Sequence, residues 1–141
     1  MNTKTLTIQS LKTLEDNHGI PYAILQIKHG DEYHDKRFER FDRTVKKYGT
    51  INLEDYDFKG AFELGTKDDE TDMDLLEEVF QIWNSPTRPT GIRFTGHSLS
   101  VSDIVAMNRD GKIRFYFCDS FGFRELENEL TLCEQIIGGI V

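Results

Sequence analysis

Apolar and polar positions recur with different periods along the chain, and each change of period marks an element. Ile20 to Lys28 is apolar and β-branched almost throughout and runs into His29-Gly30-Asp31, which predicts a central strand over 20–28 ending in a turn. Phe38, Phe41, Val45 and Tyr48 recur at offsets 0, 3, 7 and 10. That spacing predicts an amphipathic helix over 36–48, with its aromatic stripe in the core and Gly49 just past its end. Tyr56, Phe58 and Phe62 alternate as a strand over 56–64, with Gly60 suited to a bulge. Thr71 and Asp74 have the spacing of a capping box. They open a helix over 72–84 whose Met73, Leu76, Val79, Phe80 and Trp83 share one face and which ends at Asn84-Ser85-Pro86.

The second half carries the strongest local signal. Strand-like runs at 103–108 and 112–118 flank Asn108-Arg109-Asp110-Gly111, and Asp-Gly between two such runs predicts a hairpin. Two loops, 96–103 before it and 119–125 after it, then fall at the hairpin's open end and are neighbours. Leu126, Leu130, Cys133 and Ile137, at offsets 0, 4, 7 and 11, predict a C-terminal helix over 124–137 stopped by Gly138-Gly139. The pattern gives a single α+β domain over residues 1–141, with a mixed or antiparallel sheet of about four to five strands and three helices packed on it.

Composition bounds what this domain does. Its 141 residues, 38% hydrophobic and 30% charged, suffice for one core and are too few for two catalytic lobes. Residues 1–14 hold no apolar run of a secretory signal and no segment is long enough to span a membrane, which predicts a cytoplasmic protein. Cys118 and Cys133 are then read as reduced, buried thiols. The net charge of −8 argues against direct nucleic-acid binding. It is unevenly spread: 54–78 holds eleven acids against Lys59 and Lys67, while 36–47 holds six basic residues against Glu39 and Asp42.

The two loops collect the residue types of a catalytic site. His97 with Cys118 or Ser120 would supply base and nucleophile, provided the fold brings them within hydrogen-bonding reach. The competing structural role is that Ser98, Ser100, Ser102, Asp103, Asp119 and Ser120 bond to backbone amides and hold the loops in shape, with Gly96 and Gly122 allowing angles other residues resist. No metal site is expected. His29 and His34 with Asp31, Glu32 and Asp35, and the distant His18, lack ligand spacing. The acidic run from Asp68 places Met73 and Val79 where a calcium loop needs Gly and Glu. No glycine-rich nucleotide loop occurs, and no cofactor is expected.

Gly96-His97-Ser98-Leu99-Ser100-Val101-Ser102-Asp103-Ile104-Val105, followed by Cys118-Asp119-Ser120-Phe121-Gly122-Phe123-Arg124-Glu125, resembles the signature of the YodL-like family. Weaker agreement runs through Arg37-Phe38-Glu39, Phe41-Asp42, Tyr56-Asp57, Leu75-Leu76-Glu77 and Trp83-Asn84, so the resemblance covers about 22–127. It implies a bacterial domain common in mobile-element proteins and brings no established activity. The leading expectation is a non-enzymatic interaction module that meets an unidentified protein partner through Gly96, His97, Ser98, Ser100, Ser102, Asp103, Asp119, Ser120, Phe121, Gly122 and Phe123. Two alternatives stay open: a small hydrolase or transferase using Cys118 or Ser120 with His97, and an acidic decoy whose 54–78 strip binds a basic nucleic-acid-binding protein.

Overall fold

A computed structural model describes residues 2–15, 19–65, 70–85 and 96–126. Among them are three helices and one five-stranded antiparallel sheet: α1 (Thr3–Thr13), β1 (Ile20–Ile27), α2 (Phe41–Tyr48), β2 (Tyr56–Leu64), α3 (Asp72–Asn84), β3 (Ile104–Arg109), β4 (Lys112–Asp119) and β5 (Gly122–Leu126). The sheet order is β2-β1-β3-β4-β5. With a partner on each side, β1 buries both faces, which is why its sequence is continuously apolar.

The sheet separates two cores. On one face, Leu11 of α1 and Phe41 of α2 pack with Ala23, Leu25, Ile104 and Phe117. On the other, Leu75, Leu76, Val79 and Trp83 of α3 pack with Tyr22, Ile24, Val105 and Tyr116. Trp83 Nε1 donates to the Tyr22 hydroxyl at 2.9 Å, so the largest buried ring of this core keeps its polar atom satisfied. No helix among the described residues is long and apolar enough to cross a membrane.

Several elements form for the reasons their sequence gives. The capping box closes in both directions between Thr71 and Asp74. β3 and β4 join through Asp110-Gly111, whose φ of 56° and 82° suit the two-residue turn that matches strand twist. In β2 the register passes from Gly60 to Phe58 against consecutive residues Ile24 and Leu25, leaving Lys59 as the extra residue of a bulge beside Gly60. A Cβ on Gly60 would meet the Phe62 ring at 2.7 Å.

Other elements differ from expectation. The helix predicted over 36–48 begins only at Phe41, because Phe38 takes a φ of 62° and Arg40 is extended. Phe41 is buried and Val45 half-buried, whereas Phe38 and Tyr48 are exposed, so the aromatic stripe is not core throughout. In α3, Met73 points outward and Leu75 takes its place inside. α1 was hidden by its threonines, which are weak helix formers. Asn2 caps it by accepting from the Thr5 amide, and Leu11 anchors it in the core.

The largest correction concerns 119–125. Asp119 pairs with Gly122 across a tight turn at Ser120-Phe121, and β5 follows, so this segment is a hairpin and not an open loop. Residues 124–126, assigned to the start of the C-terminal helix, are strand; the rest of that prediction, with Cys133, lies outside the described residues.

Candidate functional site

The end of the sheet where β1 and β4 finish and β3 and β5 begin gathers most of the expected residues. Its centre is a pair the sequence left half-noticed, Gln26 and Asp103. Both side chains are buried on the α3 face, and Gln26 Nε2 donates to Asp103 Oδ2 at 3.0 Å. Gln26 also clasps the next segment, donating to the His97 carbonyl at 2.9 Å and accepting from the His97 amide at 3.1 Å. A lone amide in an apolar strand was the available signal, since a buried polar group has to be bonded.

Asp103 shapes its own approach. Its Oδ2 accepts from the Ser100 amide at 2.8 Å while its amide donates to the Ser100 carbonyl at 3.0 Å. Burial pushes its carboxyl up to about 8, against the opposing pull of the Ser100 and Gln26 hydrogen bonds. Among the described residues the cation-forming group near it is His97, whose Nδ1 lies 3.8 Å from Oδ2. That nitrogen also sits 2.6 Å from the Ser98 carbonyl and 3.2 Å from Gln26 Nε2, so the ring is held against the clasp through Nδ1. The Ser100 hydroxyl donates to the same carbonyl at 3.0 Å. Leu99 tucks this loop into the α3 core, and Gly96 enters it half-buried.

The neighbouring backbone is equally committed. The Ser102 amide donates to the Cys118 carbonyl at 2.9 Å, and the Cys118 amide to the Asp103 carbonyl at 2.7 Å, extending the β3–β4 ladder by two residues. Ser102 takes a φ of 84°, and its Oγ accepts from the amide of Phe38, the other left-handed residue of this end, at 3.0 Å. Such angles cost about 1–3 kcal/mol each and persist where the surroundings hold them. Here the Tyr56 hydroxyl donates to the Ser102 carbonyl at 2.6 Å. Asp119 Oδ1 accepts from the Phe41 amide at 3.1 Å and the Ser120 amide at 2.9 Å, joining the start of α2 to the β4–β5 turn.

Little of this is arranged for nucleophilic chemistry. Cys118 is buried, and burial, followed by the charge of Asp103, pushes its thiol up to about 12, the reverse of an activated nucleophile. It lines a hollow of about 230 Å³ with Glu77, Phe80, Asp119, Ser120, Gly122 and Phe123. Among the described residues no hydrogen bond joins His97 to Cys118 or Ser120. Nor, among them, do three or more His, Cys, Asp or Glu side chains gather to hold a metal ion.

What the arrangement displays is aromatic. Phe38, which sequence reasoning assigned to a helix core, is 60% exposed and rests its ring 5.4 Å from that of His97. Phe121 stands fully exposed at the β4–β5 turn, while Phe123 packs against the α3 core. The acidic strip is divided between surfaces. Asp55 pairs with Lys36 at 2.6 Å and Asp72 with Arg109 at 2.9 Å, while Glu70, Asp74, Glu77 and Glu78 line an open hollow on α3.

A family model described as the YodL-like domain matches residues 21–128, about three quarters of the chain. No curated protein and no solved structure matches it.

Proposed function

The chain belongs to the YodL-like family, and from that premise we propose that it is a non-catalytic interaction module whose recognition surface is the sheet end formed by 96–103, 119–123 and Phe38. The observation that carries this reading is the exposure of Phe38 and Phe121 on backbone held by Ser102 and Asp119. An exposed aromatic on a rigid frame loses little entropy when a partner covers it, and aromatic anchors contribute disproportionately to interfaces. The polar side chains around them are occupied with backbone groups, a scaffolding use that leaves the surface's shape as its product. On the mobile-element setting that the resemblance implies, the partner we propose is a host or element-encoded protein.

The test compares complexes captured by the wild-type chain, by Phe38→Ala/Phe121→Ala and by Cys118→Ala/Ser120→Ala. The reading predicts a specific protein retained by the wild-type and the Cys118/Ser120 variant and lost by the aromatic variant, with the melting midpoint of the aromatic variant within a few degrees of wild-type, about what small surface effects produce. The hydrolase alternative predicts a turnover abolished in Cys118→Ala/Ser120→Ala, together with rapid alkylation of native Cys118 at neutral pH.

A further inference from the structure

Beside Phe38 the chain between β1 and α2 folds round an open cleft of about 660 Å³, walled by Arg37, Arg43, Lys46 and Lys47 against Asp35 and Glu39. We propose that this cleft receives an acidic peptide segment of the partner protein, a refinement that rests on the interaction reading above. The local charge is what matters. α2 and α3 pack on opposite faces of the sheet, so the acids of α3 lie across the molecule from the cleft. Layers of secondary structure are ~10 Å apart. Exposed charges separated by more than ~8 Å are largely screened at physiological salt. The overall −8 therefore hides a basic face without neutralising it.

Within the cleft the cations are differently committed. The Arg37 guanidinium donates to the carbonyls of Lys28 and Gly30, at 3.2 and 3.3 Å, which fixes its position and leaves it without an ion pair among the described residues. Lys47 pairs with Asp35 at 3.0 Å. Arg43 and Lys46 have no ion pair among the described residues and project into solvent on the exposed side of α2. The Tyr48 ring, exposed at the rim, is flanked by the ammonium groups of Lys36 and Lys47 at 4.5 and 5.4 Å. An open trough with free cations and aromatic edges suits an extended carboxylate-bearing segment more than a small molecule, which binds in an enclosed and mostly apolar pocket. The exposed Phe38, between cleft residues Arg37 and Glu39, places an apolar contact directly beside it.

The experiment measures fluorescence anisotropy of the full chain with a labelled peptide of alternating Glu and Leu, with its Gln-for-Glu counterpart, and with a single-stranded oligothymidylate. The acidic peptide should bind, weaken as salt is raised, and lose ~10-fold or more in affinity in Arg43→Glu/Lys46→Glu. The milder Arg43→Gln/Lys46→Gln, with unchanged far-ultraviolet dichroism, should lose less. Equal binding of the Gln peptide, tighter binding of the oligonucleotide, or no response to charge reversal would overturn the proposal. Capture of the cellular partner separates this failure from that of the parent reading. A partner lost in Phe38→Ala/Phe121→Ala but kept in Arg43→Glu/Lys46→Glu leaves the surface standing and removes the acidic segment. A partner kept in both removes the two together.

Discussion

Two aspartates on the α3 face, at opposite ends of the sheet, shift in opposite directions. Asp103 is 1% exposed, accepts from neutral amides, and has its carboxyl pushed up to about 8 by burial. Asp72 stands at the first turn of α3, where burial also raises its carboxyl, but the Tyr116 hydroxyl, Arg109 and Arg114 outweigh that and leave it below the usual aspartate range. Asp103, the deeper of the two, is raised by a burial that its amide partners do not offset, whereas at the partly exposed Asp72 the Tyr116 hydrogen bond and the two guanidiniums outweigh burial. At the Asp72 end, charged groups pin a helix start to β3 and β4, and burial pushes the Tyr116 phenol well above its ordinary value. At the Asp103 end, amides and carbonyls hold two loops and a strained turn in one shape.

The contrast is broken most severely by removing the clasp. Gln26→Ala strands the His97 amide and deprives Asp103 of a donor, both in or near the interior, and should cost ~2–4 kcal/mol in chemical denaturation. A loss under ~0.5 kcal/mol would mean that water replaces the amide and that the Asp103 end is not held as described.

A smaller effect separates the aspartates by pH. Folded Asp103 keeps its proton up to about 8, while an unfolded aspartate releases it near ~3.9. Between those values the folded state binds more protons, so stability falls as pH rises through the window. Relative to Asp103→Asn, whose carbonyl can still accept both bonds, wild-type should lose at least ~1 kcal/mol between about pH 5 and about pH 9. Parallel pH curves for the two proteins would refute the assignment.

Asp72 has the opposite sign and the smallest magnitude. Its depressed carboxyl contributes stability above the unfolded value near ~3.9, and that contribution disappears as pH falls below it. Asp72→Asn should cost about 1 kcal/mol at neutral pH, since the site is partly exposed and screened, with the gap shrinking as pH falls below ~3.9 and narrowing in high salt. A gap that does not shrink as pH falls would point to packing in place of charge.

The same contrast explains what was legible in the sequence. Elements fixed by local chemistry were readable: the Thr71–Asp74 box, the Asp110-Gly111 turn, the apolar run of β1. Where tertiary bonds overrode local pattern, the reading failed. Phe38 fits a helical stripe, but its amide is taken by Ser102 Oγ, 64 residues away, in a backbone conformation no helix allows. Residues 124–126 fit helical spacing until β4 offers them a ladder. The loop 96–103 and the segment 119–123 were correctly brought together by the hairpin argument, because pairing follows from the turn, although 119–123 is itself a tight turn between strands. Gln26 and Phe38 were missed as site residues because their roles rest on contacts far along the chain.

The central claim, that the Asp103 end is a scaffold presenting a recognition surface, is tested most directly by amide hydrogen exchange on the chain alone and in complex with a partner captured from the cells that make it. The account predicts new protection confined to 34–48, 97–102 and 119–123, with α3 unchanged. Protection on the acidic face of α3, with those segments exchanging as before, would contradict it.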